Sequence, residues 1–491
     1  MKIKDDFTIK ILLVLFLAFV VRIAYVDTLP AALFGDIIEH LRMAKSASIV
    51  RWGGDGALFP LLTSITTRIG GLSFLTLKVT SVIISLFGVL ATILYAKALT
   101  KNRTVAVFAG LFMAIGYWDI NMSHSGKPYA LVPLFAALIP YLLLQKQYIR
   151  AGVALGLSLY SQAAAWGLFA LSLVNPITFI SALITGSVFF KEMILTPDNF
   201  FSSGSHIGEK LAVSKIEDQG ILDAAMIVVK NIYLQIQALF IHGDPGFRGM
   251  LPTRPHIDEV TAFFLLVGLI FALYKIKSAT FKKPLLYFVI PFFLVQLPAA
   301  LDINNPLSAP SFGRTLGMYP YICVAAAYGL HTSLEYIKKN LHLHDLVIKT
   351  ALIMVFCIIG TLNLYRYWFL HPTFLPNHNV PFAEIIAQKA ATISPSIPTF
   401  TYNCCWGQWG QPEPGAFEFL ARSETMYPPL IKESLCSRLQ GIGKNAVIFS
   451  DPNEAELPQL LSQCGWKITK DEVIYERNET VGRMYSISFF Q

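Results

Sequence analysis

The chain alternates long apolar runs with short polar turns, and several runs reach the ~18–20 residues needed to cross a bilayer core. A first run at roughly 9–27 follows the basic opening MKIKDDFTIK. It is too long for a removable signal peptide, no small-residue cleavage site follows it, and further spans come after. Clear runs recur at roughly 74–97, 104–118, 129–144, 258–274, 285–300, 316–333 and 347–368.

The turns between these runs differ in charge, and the difference orients the chain. AKALTKNR, QKQYIR, LYKIKSATFKKP and EYIKKNLHLHDLVIK are rich in Lys and Arg, which marks the cytoplasmic side. The segments at about 28–73, 119–128, 196–257 and 301–315 then fall outside. The chain is inside at Arg150 and outside by Asp258, so an odd number of crossings lies between. The interrupted apolar stretch 151–195 reads as three short crossings, leaving 196–257 as one large outer loop. The alternative is two crossings, an inner loop and a third crossing at 224–242. The first reading gives about 11 spans, N-terminus inside and C-terminus outside.

From His371 onward the pattern changes. NAVIFS and RMYSISFF are short β-type runs, and AELPQLLSQCG between them reads as a helix. The expected architecture is a polytopic α-helical membrane domain, 1–370, followed by a small extracytoplasmic α/β domain, 371–491.

Composition sharpens this picture. Of 491 residues, 54% are hydrophobic and 14% charged, against about 25% charged in an average soluble domain. Mean hydropathy is +0.54. The net charge of +8 resides in the basic inner turns and does not imply a nucleic-acid partner. Of six cysteines, Cys323 and Cys357 fall in apolar runs. Cys404, Cys405, Cys436 and Cys464 fall in the polar tail, where Cys436–Cys464 or Cys404/Cys405 disulfides can form if the tail is extracytoplasmic. No Cys-x-x-Cys spacing suggests zinc.

The spans are nearly free of Asp, Glu, Lys and Arg, whereas a transporter is expected to carry charge at mid-membrane. The polar clusters sit instead in the outer segments, which suits an enzyme working at headgroup level. In the first, DIIEHLRMAKSASI reads as an amphipathic helix lying on the membrane, with Ile37, Leu41 and Ala44 on its apolar face and Asp36, Glu39, His40 and Met43 on another. Asp36 with Glu39 three residues on is also a capping box with Asp in place of Ser or Thr. A cap fixes a carboxylate in place, so a structural and a chemical role for Asp36 are compatible.

In the second, SHSGKPYAL sets His124, Lys127 and Tyr129 beside a helix start with Pro128 in its first turn, a place that favours an anion. Lys127 alone reads equally as a residue snorkelling to headgroups. The large loop ends in FIHGDPGFRGMLPTRPHID. Its Gly and Pro density, anchored by Phe247, Met250 and Leu251, implies a fixed irregular loop. Arg248 and Arg254 there match phosphate oxygens or serve as surface arginines on a structural plug. Arg314 in SFGRTLGMYP is a headgroup anchor or a phosphate clamp.

Taken in order over about 370 residues, these features resemble the GT-C superfamily of integral-membrane glycosyltransferases. The similarity is to glycosyltransferase family 39-like proteins, the group of the protein O-mannosyltransferases and the aminoarabinose transferase. The carriers are Gly35-Asp36, GALFPLLTSI, SHSGKPYAL, GDPGFRGMLPTRPHID, and Arg314 with Gly317 and Pro320. The GDP…LPTRP element is the most specific of them.

The resemblance implies transfer of a sugar from a polyprenyl-phosphate donor to an acceptor hydroxyl on protein, lipid or glycan. Transfer takes place at the outer face of a cytoplasmic (inner) membrane, with inversion. It makes Asp36 the catalytic base and places His124, Lys127, Tyr129, Arg248 and Arg254 at the donor phosphate and sugar. Arg314 stabilises the departing phosphate. Glu39, His40, Asp244 and His256 are accessory candidates. Two departures stand out. The family often has Asp-Glu where this chain has Asp36-Ile37, and arginines where it has His124 and Lys127. Some relatives use a divalent metal, and Asp36, Glu39 and Asp119 are acidic residues that could hold one. The rival functions are a flippase for lipid-linked sugars and an inactive, glycan-binding membrane protein.

Overall fold

The computed structural model describes residues 6–31, 35–46, 56–196, 220–246, 250–275, 282–302, 309–342, 344–402, 430–442, 445–476 and 478–489. The side chains of Gly35, Asp36, Ser46, Lys275, Lys282, Pro376 and Asn377 are excepted. The chain divides into two compact units, Met1–Val26 with Met43–His371, and Asp27–Arg42 with Pro372–Gln491.

The larger unit is helical. It begins with α1 (Asp6–Ile23); α3 (Leu58–Gly70), α4 (Phe74–Thr100), α5 (Arg103–Ile115), α6 (Tyr117–His124) and α7 (Leu131–Leu144) come later in the chain. Among the described residues, α4 and the helix Asp345–Phe374 are each long and apolar enough to cross a bilayer. Two bent pairs, α5/α6 at 52° and Pro176–Thr185/Ser187–Leu195 at 65°, each pass the same test jointly. Shorter apolar helices include Pro128–Leu144, Ala163–Val174, Glu259–Tyr274 and Leu285–Ala300. Prolines interrupt several of them, Pro140 within α7 among these. The stretch expected as three short crossings is built in four pieces: Tyr148–Ser158, a 3-10 run Ala163–Val174, Pro176–Thr185 and Ser187–Leu195. A helix, Ile221–Gln237, lies where the alternative reading put its third crossing; residues 197–219 before it fall outside the described residues.

Apolar side chains fill the interior of this unit and also cover part of its exterior. α4 is the central post, with two thirds of its apolar window buried, whereas only 11% of the corresponding window of Asp345–Phe374 is buried. α1 exposes Leu12, Leu13 and Phe16, a face that only lipid covers without cost. Helices approach closely through small residues, as membrane helices do. The helix Glu259–Lys275 crosses Tyr319–Leu341 at Gly268 and Gly329. A Cβ on Gly268 would stand 2.1 Å from the Ala325 carbonyl oxygen, and one on Gly329 2.1 Å from that of Phe264.

The smaller unit is α/β. Its sheet has the order β1-β2-β4-β3, with β1 (Thr399–Tyr402), β2 (Asn445–Ser450), β3 (Trp466–Glu476) and β4 (Glu479–Phe489). β1 and β2 are parallel, with Phe400 opposite Ile448; β4 runs antiparallel to both of its neighbours. Alternation along the strands feeds two cores. Val447, Phe449, Val481 and Met484 pack with the helix Phe382–Ala391 on one side. Ile448, Tyr485 and Ile487 pack with Leu435, Leu439, Leu457 and Leu461 on the other. Cys436 and Cys464 form a disulfide between the helices of that second layer; Cys404 and Cys405 lie outside the described residues. The expected strands NAVIFS and RMYSISFF are β2 and part of β4, and the expected helix between them is Leu457–Gln463.

Part of the first segment expected to lie outside belongs to this unit. Asn379 accepts from the Ala31 amide at 2.6 Å and donates to the Thr28 carbonyl at 2.9 Å, fixing the backbone that leads toward α2 (Gly35–Ser46). On α2, Ile37 and Leu41 are fully buried and Ala44 nearly so, the apolar face expected from spacing. His40 and Met43 are buried as well. The solvent-facing edge is therefore narrower than the sequence pattern suggests, running through Arg42 and Lys45 with Glu39 half-buried.

Candidate functional site

The polar segment expected at about 119–128 begins within a helix, and all eight residues of α6 are buried. α5 stops at Ile115 because Gly116 takes an extended backbone (φ −77°, ψ 128°). Only glycine fits there, since an added Cβ would lie 1.5 Å from the Tyr319 hydroxyl oxygen.

The break leaves the last carbonyls of α5 without helical partners, and side chains supply them. The Tyr319 hydroxyl donates to the Phe112 carbonyl at 3.2 Å. Arg22 donates to the Met113 and Ala114 carbonyls at 2.9 and 2.8 Å. Its Nη2 also meets the Asp119 carboxylate at 2.6 Å, and Nε donates to Ser85 Oγ at 2.8 Å. A cation thus sits at the C-terminal end of α5 and an anion in the first turn of α6, the arrangement each helix dipole favours. The pair is fully buried.

The first two residues of α6 hold two loops. The Tyr117 hydroxyl accepts from the Leu251 amide at 2.8 Å. The Trp118 indole N–H donates to the Phe312 carbonyl at 2.9 Å. The Phe312 amide in turn donates to Asp244 Oδ2 at 2.9 Å, and the Gly246 amide to Asp244 Oδ1 at 2.7 Å. The His256 ring stands edge-on to Trp118, at 4.7 Å, and to Phe312, at 5.3 Å. Gly313 lies flat on the Tyr129 ring, where a Cβ would be 3.0 Å from Cζ. Three of the expected polar segments therefore meet here, contributing Tyr129, Asp244 with His256, and Arg314.

Arg314 is half-buried, and its Nη1 pairs at 2.5 Å with Asp302, which is almost wholly buried. Asn231 fixes that turn by donating to the Ala300 and Asp302 carbonyls at 3.0 and 3.2 Å. Arg254 is exposed. Lys127 is 7% exposed, and its carbonyl accepts from Ser81 Oγ at 3.2 Å. His124 is buried between the Arg22 carbonyl, at 2.5 Å from Nε2, and the Tyr367 hydroxyl, at 2.8 Å from Nδ1. The carbonyl requires Nε2 to be the donor, so in the neutral ring Nδ1 accepts from Tyr367. Asp36 lies in the first turn of α2, but its side chain, like all of Arg248, falls outside the described residues. Asp258, the acidic end of LPTRPHID, caps the next helix: it accepts from the Thr261 amide at 2.8 Å and from Asn363 Nδ2 at 2.8 Å.

Electrostatics separate two of these groups. Burial raises the Asp244 carboxyl above its usual range, against the hydrogen bonds from Phe312 and Gly246 that pull it down. Burial lowers His256 to about 3, so its ring is neutral at physiological pH. Among the described residues, no three His, Cys, Asp or Glu side chains gather as metal ligands. Asp119, one of the acidic residues considered for that role, is engaged by Arg22.

Arg22 and Tyr319 carry no role in the reading from sequence, nor does Lys78, which is 2% exposed on α4 beside Gly126. Arg22 had one signal, an arginine at the far end of an apolar run, which marks a charge with a buried partner.

No protein-family model matches this chain, and no curated protein matches it in sequence. Solved structures do. ArnT from Cupriavidus metallidurans in the apo state matches with a TM-score of 0.57 over 98% of each chain, at 12% identity. The same protein bound to undecaprenyl phosphate matches with a TM-score of 0.56 over 97% of each chain, also at 12% identity. ArnT is a GT-C aminoarabinose transferase, and this chain shares its fold from end to end.

Proposed function

We propose that this chain is an integral-membrane glycosyltransferase. It moves a sugar from a polyprenyl-phosphate donor to an acceptor hydroxyl at the outer face of a cytoplasmic membrane. The observation that carries the reading is the whole-length likeness to ArnT, one of whose structures is bound to undecaprenyl phosphate. The gathering of Tyr129, Asp244, His256 and Arg314 around Phe312 supports it, because those four residues come from three separate sequence segments.

In this reading Asp36 is the base. It takes the proton of the acceptor hydroxyl as that oxygen attacks the anomeric carbon. The bond from that carbon to the phosphate oxygen breaks, its electron pair leaves with the phosphate, and the configuration inverts. Arg314 carries the charge that meets the departing phosphate, and the Asp302 pair holds the guanidinium in place while leaving its other N–H groups to donate. Arg254 and Lys127 add positive charge for the donor. Glu39 and His40 lie on the same helix as Asp36.

Native mass spectrometry of the purified protein tests donor recognition. The protein is offered undecaprenyl phosphate and, separately, uncharged undecaprenol. The phosphate is expected to be retained one per chain and the alcohol not, and Arg254→Ala, at an exposed position, is expected to weaken retention several-fold. Equal retention of alcohol and phosphate by both proteins contradicts the reading.

A further inference from the structure

Arg22 uses every N–H it has. Nε donates to Ser85 Oγ; Nη1 donates to the Ala18 and Ala114 carbonyls at 3.3 and 2.8 Å; Nη2 donates to the Met113 carbonyl and the Asp119 carboxylate. Ser85 Oγ closes the triangle by donating to Asp119 Oδ2 at 2.6 Å. Both charges are out of water, with 0% and 1% of the side chains exposed. A buried pair of this kind is weak evidence for stability, since apolar residues of similar volume often serve as well. The full use of the Arg22 N–H groups, across the bend between α5 and α6, points to another use.

That use is visible in what α6 holds. The helix has only eight residues and meets α5 at a 52° bend, so its own hydrogen bonds do little to fix its direction. Arg22 fixes it from both sides of the bend, holding the end of α5 by two carbonyls and the first turn of α6 by Asp119. Tyr117 and Trp118 stand immediately beside Asp119, and each makes one hydrogen bond to a loop, at the Leu251 amide and the Phe312 carbonyl. Both loops feed the candidate site, since Arg254 follows Leu251 and Arg314 follows Phe312 within three residues. The carbonyl of Arg22 extends the same tie to His124 and Tyr367.

We propose that Arg22 and Asp119 are positioning residues: this buried pair sets the direction of α6, and through Tyr117 and Trp118 it sets the two loops that carry Arg254 and Arg314. The inference rests on the glycosyltransferase reading only for what those loops bind; the mechanical link stands on the geometry alone. Neither residue touches the substrate.

Two variants separate positioning from folding. Arg22→Met with Asp119→Leu removes the pair without leaving an unpaired buried charge. Trp118→Phe cuts one tie to a loop and keeps the ring. Hydrogen exchange of the full-length protein, read at the Leu251 and Phe312 peptides, is expected to quicken about tenfold in the double variant, while peptides from α4 stay unchanged. Trp118→Phe is expected to quicken exchange in the Phe312 peptide only. In a transfer assay the double variant is expected to raise the donor KM about tenfold with kcat changed less. Combined with Trp118→Phe it should show less than the sum of the two effects.

Unchanged exchange at Leu251 and Phe312 in the double variant overturns the inference whatever the activity. Exchange that quickens throughout the unit overturns it too, since the pair would then be a general stabiliser. Quickened exchange confined to the two loops, in a protein whose wild type transfers no sugar, leaves the link standing and removes the glycosyltransferase reading instead.

Discussion

His256 and Asp244 lie in one sequence motif, and burial drives both toward the neutral form, protonated for the carboxyl and deprotonated for the imidazole. A carboxyl raised by burial and an imidazole lowered to about 3 both favour the neutral form. For His256 the sign is definite. Between the unfolded value near 6.5 and the folded value near 3, the unfolded chain binds a proton that the folded chain does not. Its contribution to stability is therefore complete above about pH 6.5 and is lost as pH falls toward 3. His256→Phe, which keeps a ring against Trp118 and Phe312, lacks this titration. The melting-temperature advantage of wild type over His256→Phe is expected to shrink steadily from pH 7 to 4.5; a constant difference contradicts it.

Asp36 belongs at the same scale. Asn caps a helix about as well as Asp, so Asp36→Asn separates its two roles. A base predicts a folded protein, by melting temperature and gel filtration, with transfer down at least about a thousandfold, within the span expected of a positioned base. Near-normal transfer contradicts the assignment. The sequence offered Tyr129 and Arg314 beside the starts of spans, and Asp244 and His256 as accessory candidates in a Gly- and Pro-rich loop. It did not reveal that Asp258 is a cap, because a cap and a ligand have the same one-letter spelling until the amide at Thr261 is in place.

Among elements, the α5–α6 break is the most instructive. From Asp119 the sequence reads as a polar segment between two apolar runs, yet Asp119–His124 is helical. It is a buried helix in which Arg22, ninety-seven residues from Asp119, pairs with its acid and holds the carbonyls before it. Such a partner is invisible to local pattern. Gly116→Ala is expected to cost about 2–3 kcal/mol by overpacking, since its methyl would overlap the Tyr319 hydroxyl. Tyr319→Phe is expected to restore part of that loss in the double variant, read by thermal melting. Simple additivity of the two changes contradicts the clash. α2 shows the opposite case. Its apolar spacing of Ile37, Leu41 and Ala44 was readable from periodicity, and these residues are buried as expected. Burial of His40 was not readable, because it depends on what packs on the second face.

At the scale of the whole molecule, alternation of apolar runs and basic turns identified a multi-pass helical protein, and the shift in texture after His371 identified a separate α/β unit. The strand order could not be read, because β1 and β2 are joined by a long connection and β4 inserts between β2 and β3. Nor could the capture of Asp27–Arg42 by the smaller unit, which depends on Asn379 reaching back to Thr28 and Ala31. The Cys436–Cys464 disulfide spans 28 residues, and chain-entropy arguments give about 3–4 kcal/mol for such a loop. Cys436→Ala with Cys464→Ala is expected to make this unit melt first, with protease cleavage rising in 372–491 while the helical unit persists. Unchanged cleavage contradicts a stabilising role.

The central claim, transfer from a polyprenyl phosphate, is tested most directly by following the donor. Purified protein is incubated in lipid nanodiscs with undecaprenyl-phosphate-linked sugars labelled in the sugar, together with envelope lipid and glycan acceptors. The products are resolved by thin-layer chromatography and mass spectrometry. Free undecaprenyl phosphate is expected to accumulate in step with labelled acceptor, with the new linkage inverted at the anomeric carbon, and Asp36→Asn is expected to abolish both. Labelled lipid that crosses the bilayer intact, with no undecaprenyl phosphate released by wild type, would contradict it and make the protein a carrier.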